Sequence, residues 1–273
     1  MKTKILIPSI IGLFIITGFT LKSKLSTVEE SIALDNYKVI KVDGRIVFQT
    51  SGRDMHTGDQ FTSNEKITFK TEESRAAVIS KQKGRFVLTP DAKSSSASNL
   101  LPAMNNVSSR AGALINAIDL KNHFSDNYLI LGEMELKVGK DVYPMNKDNF
   151  FYLQYAYGEE TVPKILKHHG DTLEFTPKDI FTIDGKQMEV PAKINVSLYY
   201  RDNVNKKSVK ISNFNLVTPE KEQLLIELEV ITDELDGKDT EKIKNEVTAY
   251  LVEFYGKPQK ENLADWLKKN MNM

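Results

Sequence analysis

The chain of 273 residues contains no cysteine. Disulfides, thiolate nucleophiles and cysteine-based zinc or iron–sulfur sites are thereby excluded. Histidine is scarce, with four in all, and His168-His169 is the only adjacent pair. Adjacent side chains point apart on a strand and lie about 100° apart on a helix, so they do not chelate as an i, i+4 pair does. No metal and no cofactor is expected. Neither sign of charge predominates, with 37 Lys+Arg against 37 Asp+Glu. A nucleic-acid binder normally carries a basic excess, so nucleic acid is not expected as a partner. There is no P-loop, dinucleotide fingerprint or EF-hand loop, and Ser94-Ser95-Ser96 lacks a nucleophile-elbow context. Glu133 and Glu135 share one face of a strand, as paired catalytic carboxylates can. Their alternation with Met134 and Leu136 assigns them instead to a solvated face. No catalytic residue is nominated, and the chain is not expected to be an enzyme.

Long hydrophobic runs are also rare. The exception is Ile5–Leu21, 17 uncharged residues behind Lys2 and Lys4. A positive start followed by an apolar stretch is the pattern of an export signal. A spanning helix needs roughly 20 residues, with about 17 as the minimum. Gly18 and Thr20 stand at the small-residue spacing of a cleavage site before Leu21. Two fates for residues 1–24 stay open: a cleaved signal peptide or a retained membrane anchor. Either one places the rest in the periplasm or at the cell surface, with membrane contact only through residues 5–21 if they are kept. Export without disulfides fits a bacterial envelope protein of this size. Leu25–Asp35 reads as a polar tether.

From Tyr37 the pattern is β. YKVIKV and RIVFQT flank Asp43-Gly44, a strong hairpin signal. Lys66–Lys70, Arg75–Ser80 and Gly84–Thr89 follow as short strands, with Lys81–Gly84 closing a second hairpin. This spacing predicts a small β-sandwich or barrel-like domain over 36–90. The Ser-, Asn- and Ala-rich stretch that follows predicts a linker over 91–110. An α+β domain is expected over 111–273. It opens with a short helix within Ala111–Phe124, capped by Ser109, and continues with strands from Tyr128 onward. Val162–His169 reads as a helical turn. Lys193–Arg201 is the cleanest strand, with Ile194, Val196, Leu198 and Tyr200 on one face. Phe214 and Leu216 are out of phase with Val209 and Ile211, so a bulge is expected near Ser212-Asn213. Leu224–Ile231 alternates as a further strand, with Glu227 and Glu229 toward water. Helices are expected over 239–255 and 261–271, packed on the open face of that antiparallel sheet. The whole is a mainly β chain with an α+β C-terminal part.

The segment GRIVFQTSGRDMHTGDQFTSNEKITFKTEESRAAVISKQKGRFVL, about 44–88, resembles a FecR-type domain, the small β-domain of exported bacterial signalling and envelope proteins. Gly58-Asp59, Ser74–Ser80 and Gly84 occupy the places of that domain's turn, strand and hairpin. The resemblance implies an exported β-domain. Regulators of that type carry a cytoplasmic domain before their membrane span, whereas four residues precede Ile5 here, so sigma-factor signalling is not expected. The whole chain also resembles exported proteins of Bacteroidota.

Phe150–Tyr157 is the most aromatic stretch. Phe151, Tyr152, Tyr155 and Tyr157 are candidates for an exposed platform that binds protein or glycan. The other reading is a strand buried on both faces. Tyr199 beside Tyr200 is a similar, weaker case. The expected function is a non-enzymatic envelope component with protein partners, and the alternative is a carbohydrate- or ligand-binding module.

Overall fold

A computed structural model describes residues 35–91, 94–102 and 116–273. The hydrophobic segment 5–21, most of the tether and Ser109 lie outside the described residues. The first seven strands are β1 (Asn36–Asp43), β2 (Ile46–Phe48), β3 (Gln60–Thr62), β4 (Ile67–Phe69), β5 (Arg75–Ser80), β6 (Gly84–Asp91) and β7 (Ser94–Pro102). Five of them form one sheet in the order β3-β1-β5-β6-β7, and β2 pairs with β4 in a separate ribbon.

Asp43-Gly44 does not close a hairpin. β1 pairs with β3 and β5, while β2 pairs with β4. Gly44 sits at φ 77°, and a Cβ there would lie 2.6 Å from Ser74 Oγ. Ser74 Oγ accepts the Arg45 N–H at 3.1 Å, tying the turn to a distant residue. The dipeptide is therefore a corner that hands the chain from the sheet to the ribbon. The β5–β6 hairpin forms as expected. The expected linker is corrected in part, because residues 94–102 are β7, paired antiparallel with β6. Its backbone hydrogen bonds give this polar stretch a partner that composition does not reveal.

Next come α1 (Ala117–His123), β8 (Asn127–Leu129), β9 (Met134–Lys137), β10 (Asn149–Tyr157), β11 (Glu160–Ile165), β12 (Lys167–His169), β13 (Thr172–Phe175), α2 (Pro177–Ile180), β14 (Thr182–Ile183), β15 (Lys186–Gln187), β16 (Lys193–Asp202) and β17 (Lys207–Val217). The chain ends with α3 (Lys221–Glu234), α4 (Thr240–Phe254), β18 (Lys257–Pro258) and α5 (Lys260–Met271). Asn116 caps α1 by accepting the N–H groups of Ile118 and Asp119. A six-stranded sheet in the order β11-β10-β16-β17-β8-β18 shares a core with a three-stranded sheet, β12-β13-β9. The β16–β17 register slips between Leu198 and Tyr199, leaving Ile211 as the extra residue. That bulge lets Ile211, Phe214 and Leu216 all point inward. The segment 162–169 is strand rather than helical turn, since β11 and β12 pair with β10 and β13.

Leu224–Ile231 is the clearest correction. It lies within the helix α3, whose buried residues are Leu224, Glu227, Leu228, Val230 and Ile231. Positions 224, 227, 228 and 231 follow the helical period. Ile226, expected inside, is 49% exposed. A carboxylate at 227 broke the helical apolar stripe and left an accidental alternation in view. Glu220 starts the helix by accepting the Gln223 N–H at 2.8 Å.

The C-terminal helices do pack on a sheet, and α3 and α4 lie on the first one. Ile40, Ala77, Ile79 and Val87 join Leu224, Leu228, Val247, Tyr250 and Leu251 in one core. The other face of the same sheet, with Val39, Ala76, Val78 and Leu88, packs on Phe48, Ile67 and Phe69 of the ribbon. Residues 36–90 and the C-terminal helices thus belong to one compact unit, Leu34–Met273. No sheet among the described residues closes into a barrel. Mainly β with helices on a sheet describes the architecture.

Candidate functional site

Period two along β10 decides the fate of the aromatic candidates. Phe151 and Tyr155 point inward, 0% and 3% exposed, and Tyr155 donates its O–H to the Ile180 carbonyl at 2.6 Å. Tyr157 also packs against the inner core, with its hydroxyl 3.5 Å from the Glu189 carbonyl. These three are corrected from platform to core side. Tyr152 alone of the four lies on the outer face.

Strand register brings other residues to Tyr152. Tyr152 stands opposite Tyr199 of β16 and Ile165 of β11. The two tyrosine rings stack, with centroids 5.0 Å apart and planes 10° apart. Phe150 lies 6.4 Å from Tyr152. Ile165 is 60% exposed, and neither tyrosine is buried. An aromatic and aliphatic strip therefore crosses three strands of the outer face. Tyr152 donates to Ser208 Oγ at 3.3 Å, and Arg201 donates to the same oxygen at 3.3 Å.

Beside the strip runs a row of amides. Asn195 donates to Asn213 and Asn215 at 3.3 and 3.1 Å, and Asn215 donates to Asn127 at 3.0 Å. Asn213 donates to Ser197 Oγ at 3.0 Å. These bonds fix the amide orientations across β16, β17 and β8. The alternation of Lys193–Arg201 put Asn195, Ser197 and Tyr199 on one face; only register could add Asn213, Asn215 and Ile165 to it.

A second constellation lies under the helices, with Glu227 and Arg85 at its buried centre. Glu227 is 1% exposed. It accepts from Tyr250 at 2.6 Å and from Lys41 at 3.1 Å, with the Tyr255 hydroxyl as a third donor. Burial, then the Glu227 charge, raises the hydroxyl pKa of both tyrosines. Arg85, also buried, pairs with Glu246 and Glu253. Arg75 pairs with Asp43 and covers the Phe254 ring at 4.5 Å. These contacts join β1, β5 and β6 to α3 and α4. They form a docking seam between the sheet and the helices.

The remaining candidates are dispersed. His168 and His169 lie on β12, and His169 contacts Glu174 at 3.1 Å. That hydrogen bond raises the His169 pKa. Among the described residues no three metal-ligating side chains converge. Glu133 and Glu135 are exposed and line an open groove of about 890 Å³ between β9 and α5, with Trp266 also in its lining. His123 is unusual: its Nε2 lies 2.5 Å from the Tyr128 hydroxyl. Burial, with Lys257 nearby, lowers its pKa to about 4.

No protein-family model matches the chain, and no curated protein matches it.

Proposed function

We propose that the chain is an exported, non-enzymatic envelope protein that acts by binding a protein partner through the outer face of its six-stranded sheet. The observation that carries this reading is the strip Ile165–Tyr152–Tyr199 across the outer face, with Ile165 exposed and both tyrosines only half-buried. Half-buried tyrosines beside an exposed aliphatic residue supply contact area at small entropic cost, as in protein interfaces. The hydrophobic run 5–21 is the basis for export and for contact with the membrane.

Crosslinking and pull-down from native membranes tests the binding role. A partner is expected with the wild-type chain and lost with Tyr152→Ala combined with Tyr199→Ala. Recovery of monomer alone sinks the proposal. Mass measurement of the mature N-terminus tests the other half. A start near Leu21 means a cleaved signal, an intact Met1 means an anchor, and retention in the cytoplasm contradicts export.

A second reading is favoured by one observation, the oriented amides of Asn127, Asn195, Asn213 and Asn215 beside stacked rings. Amides and aromatic faces together suit a carbohydrate. Titration with neutral oligosaccharides, read by chemical-shift changes at those amides, separates the two.

A further inference from the structure

The groove between β9 and α5 has features that the sheet face lacks. β9 is the edge of its sheet, hydrogen-bonded to β13 on one side only. The Val138 N–H donates to the Asp171 carbonyl at 2.9 Å. Antiparallel alternation then directs the backbone groups of Met134 and Leu136 to β13, and those of Glu135 and Lys137 to the open side. The groove is lined by every residue from Leu131 to Lys137. Met134 and Leu136 are buried in the core, 2% and 3% exposed. The groove runs along β9 at the edge of the sheet and reaches Thr172 and Glu174 of β13.

Asn262 of α5 already acts there as a substitute strand. It accepts the Leu131 N–H at 3.1 Å and donates to the carbonyls of Leu131 and Glu133 at 3.1 and 2.8 Å. The side chain stops at Glu133, and the open backbone begins at Glu135. One edge of the six-stranded sheet is treated differently, since β11 carries Pro163, which has no N–H to donate. A strand edge facing a helix across a groove is the geometry of strand addition.

Charge selects what enters. Glu133, Glu135, Glu261 and Asp265 line the groove, are exposed, and have no cation within 4.0 Å among the described residues. Lys137 is occupied by Asp171 at 3.6 Å. Lys221 and Lys269 are the remaining cations of the lining, so carboxylates dominate it.

We infer that this groove takes an extended, lysine- or arginine-bearing segment of a partner protein as an added strand on β9. The inference rests on the reading of the chain as a protein binder, at a surface separate from the tyrosine strip.

Trp266 is the only tryptophan and lines the groove, so its emission reports occupancy. The probe is a capped peptide of alternating lysine and valine, titrated into the full chain in neutral detergent. A saturable change in Trp266 emission is expected, weakened about tenfold or more by Glu135→Lys with Asp265→Lys. N-methylation along one edge of the peptide is expected to abolish binding, and along the other edge to leave it. Equal binding of a glutamate–valine peptide overturns the inference, as does indifference to N-methylation on both edges. Emission that shifts with protein concentration and no peptide also overturns it, by placing a second copy in the groove. If the peptide fails while Tyr152-dependent capture persists, the strip reading stands alone. If both fail, protein binding itself is refuted.

Discussion

The two large cores of this molecule are closed by different chemistry. The core between the six-stranded and three-stranded sheets is filled with rings. Phe124 stacks on Phe214 at 5.0 Å and meets Phe175 at 5.3 Å, while Tyr143, Phe151 and Tyr200 form a second cluster. The core between the first sheet and the helices is mostly aliphatic, with Tyr250 buried among its leucines and valines, and is charged along its seam, at Glu227–Lys41 and at Arg85–Glu246–Glu253. Rings supply apolar area with little regard for partner. A buried carboxylate is tolerated only where its donors are in place. The sheet sandwich is thus held mainly by burial, and the helical layer is held in one register by ion pairs.

The sharpest break of the first core is Phe214→Ala. Losing a fully buried ring that touches Phe124 and Tyr128 costs about 4 kcal/mol. Denaturant unfolding measures it, and the loss is expected to be insensitive to salt. Glu227→Ala is the matching break of the second core, at about 3 kcal/mol, because Lys41 and two tyrosine hydroxyls lose their acceptor. Glu227→Leu combined with Lys41→Met sharpens the contrast. If the pair serves register rather than stability, the double variant stays within about 1 kcal/mol of wild type. A double variant as unstable as Glu227→Ala contradicts that view.

His123 titrates near 4 in the fold, below its ordinary value of 6.5. Between those values the unfolded chain binds more protons, so stability falls as pH drops through that window and levels off below it. Its size is about 2 kcal/mol once partial exposure is allowed for. Protonation must place charge against Phe124 and Tyr128 and near Lys257. His123→Gln is expected to flatten the curve there, and an unchanged slope refutes the assignment. The smallest effect belongs to the outer face. Tyr152→Ala removes a stacked pair worth about 1 kcal/mol. A loss of partner capture far beyond that change in stability marks the strip as a binding surface.

Much of the local structure was legible. β5, β6 and β16, α4, and α5 beyond Pro258 follow from alternation, helical period and breakers, although Asp239 at the N-cap of α4 makes no side-chain capping hydrogen bond. The exceptions share a cause. Asp43-Gly44 signals a turn, but Ser74 across the fold decides that it is a corner. Leu224–Val230 alternates only because Glu227 occupies a core position whose donors come from β1 and α4. Tyr152 was named among four aromatics, yet its partners Tyr199 and Ile165 came from register with two other strands. Gly256 belongs here too: φ 115° and the Asn127 carbonyl against its missing Cβ let β18 reach β8.

By itself the sequence determined the absence of thiol chemistry, the uncharged run 5–21 and the alternation that makes most strands two-faced, since each is a property of residues close along the chain. Only the tertiary structure decided which sheet receives the helices, that a glutamate can be core, and which side chains meet on the outer face. Those depend on donors and strand neighbours as far as 214 residues apart, as Lys41 and Tyr255 are, and no local period encodes them.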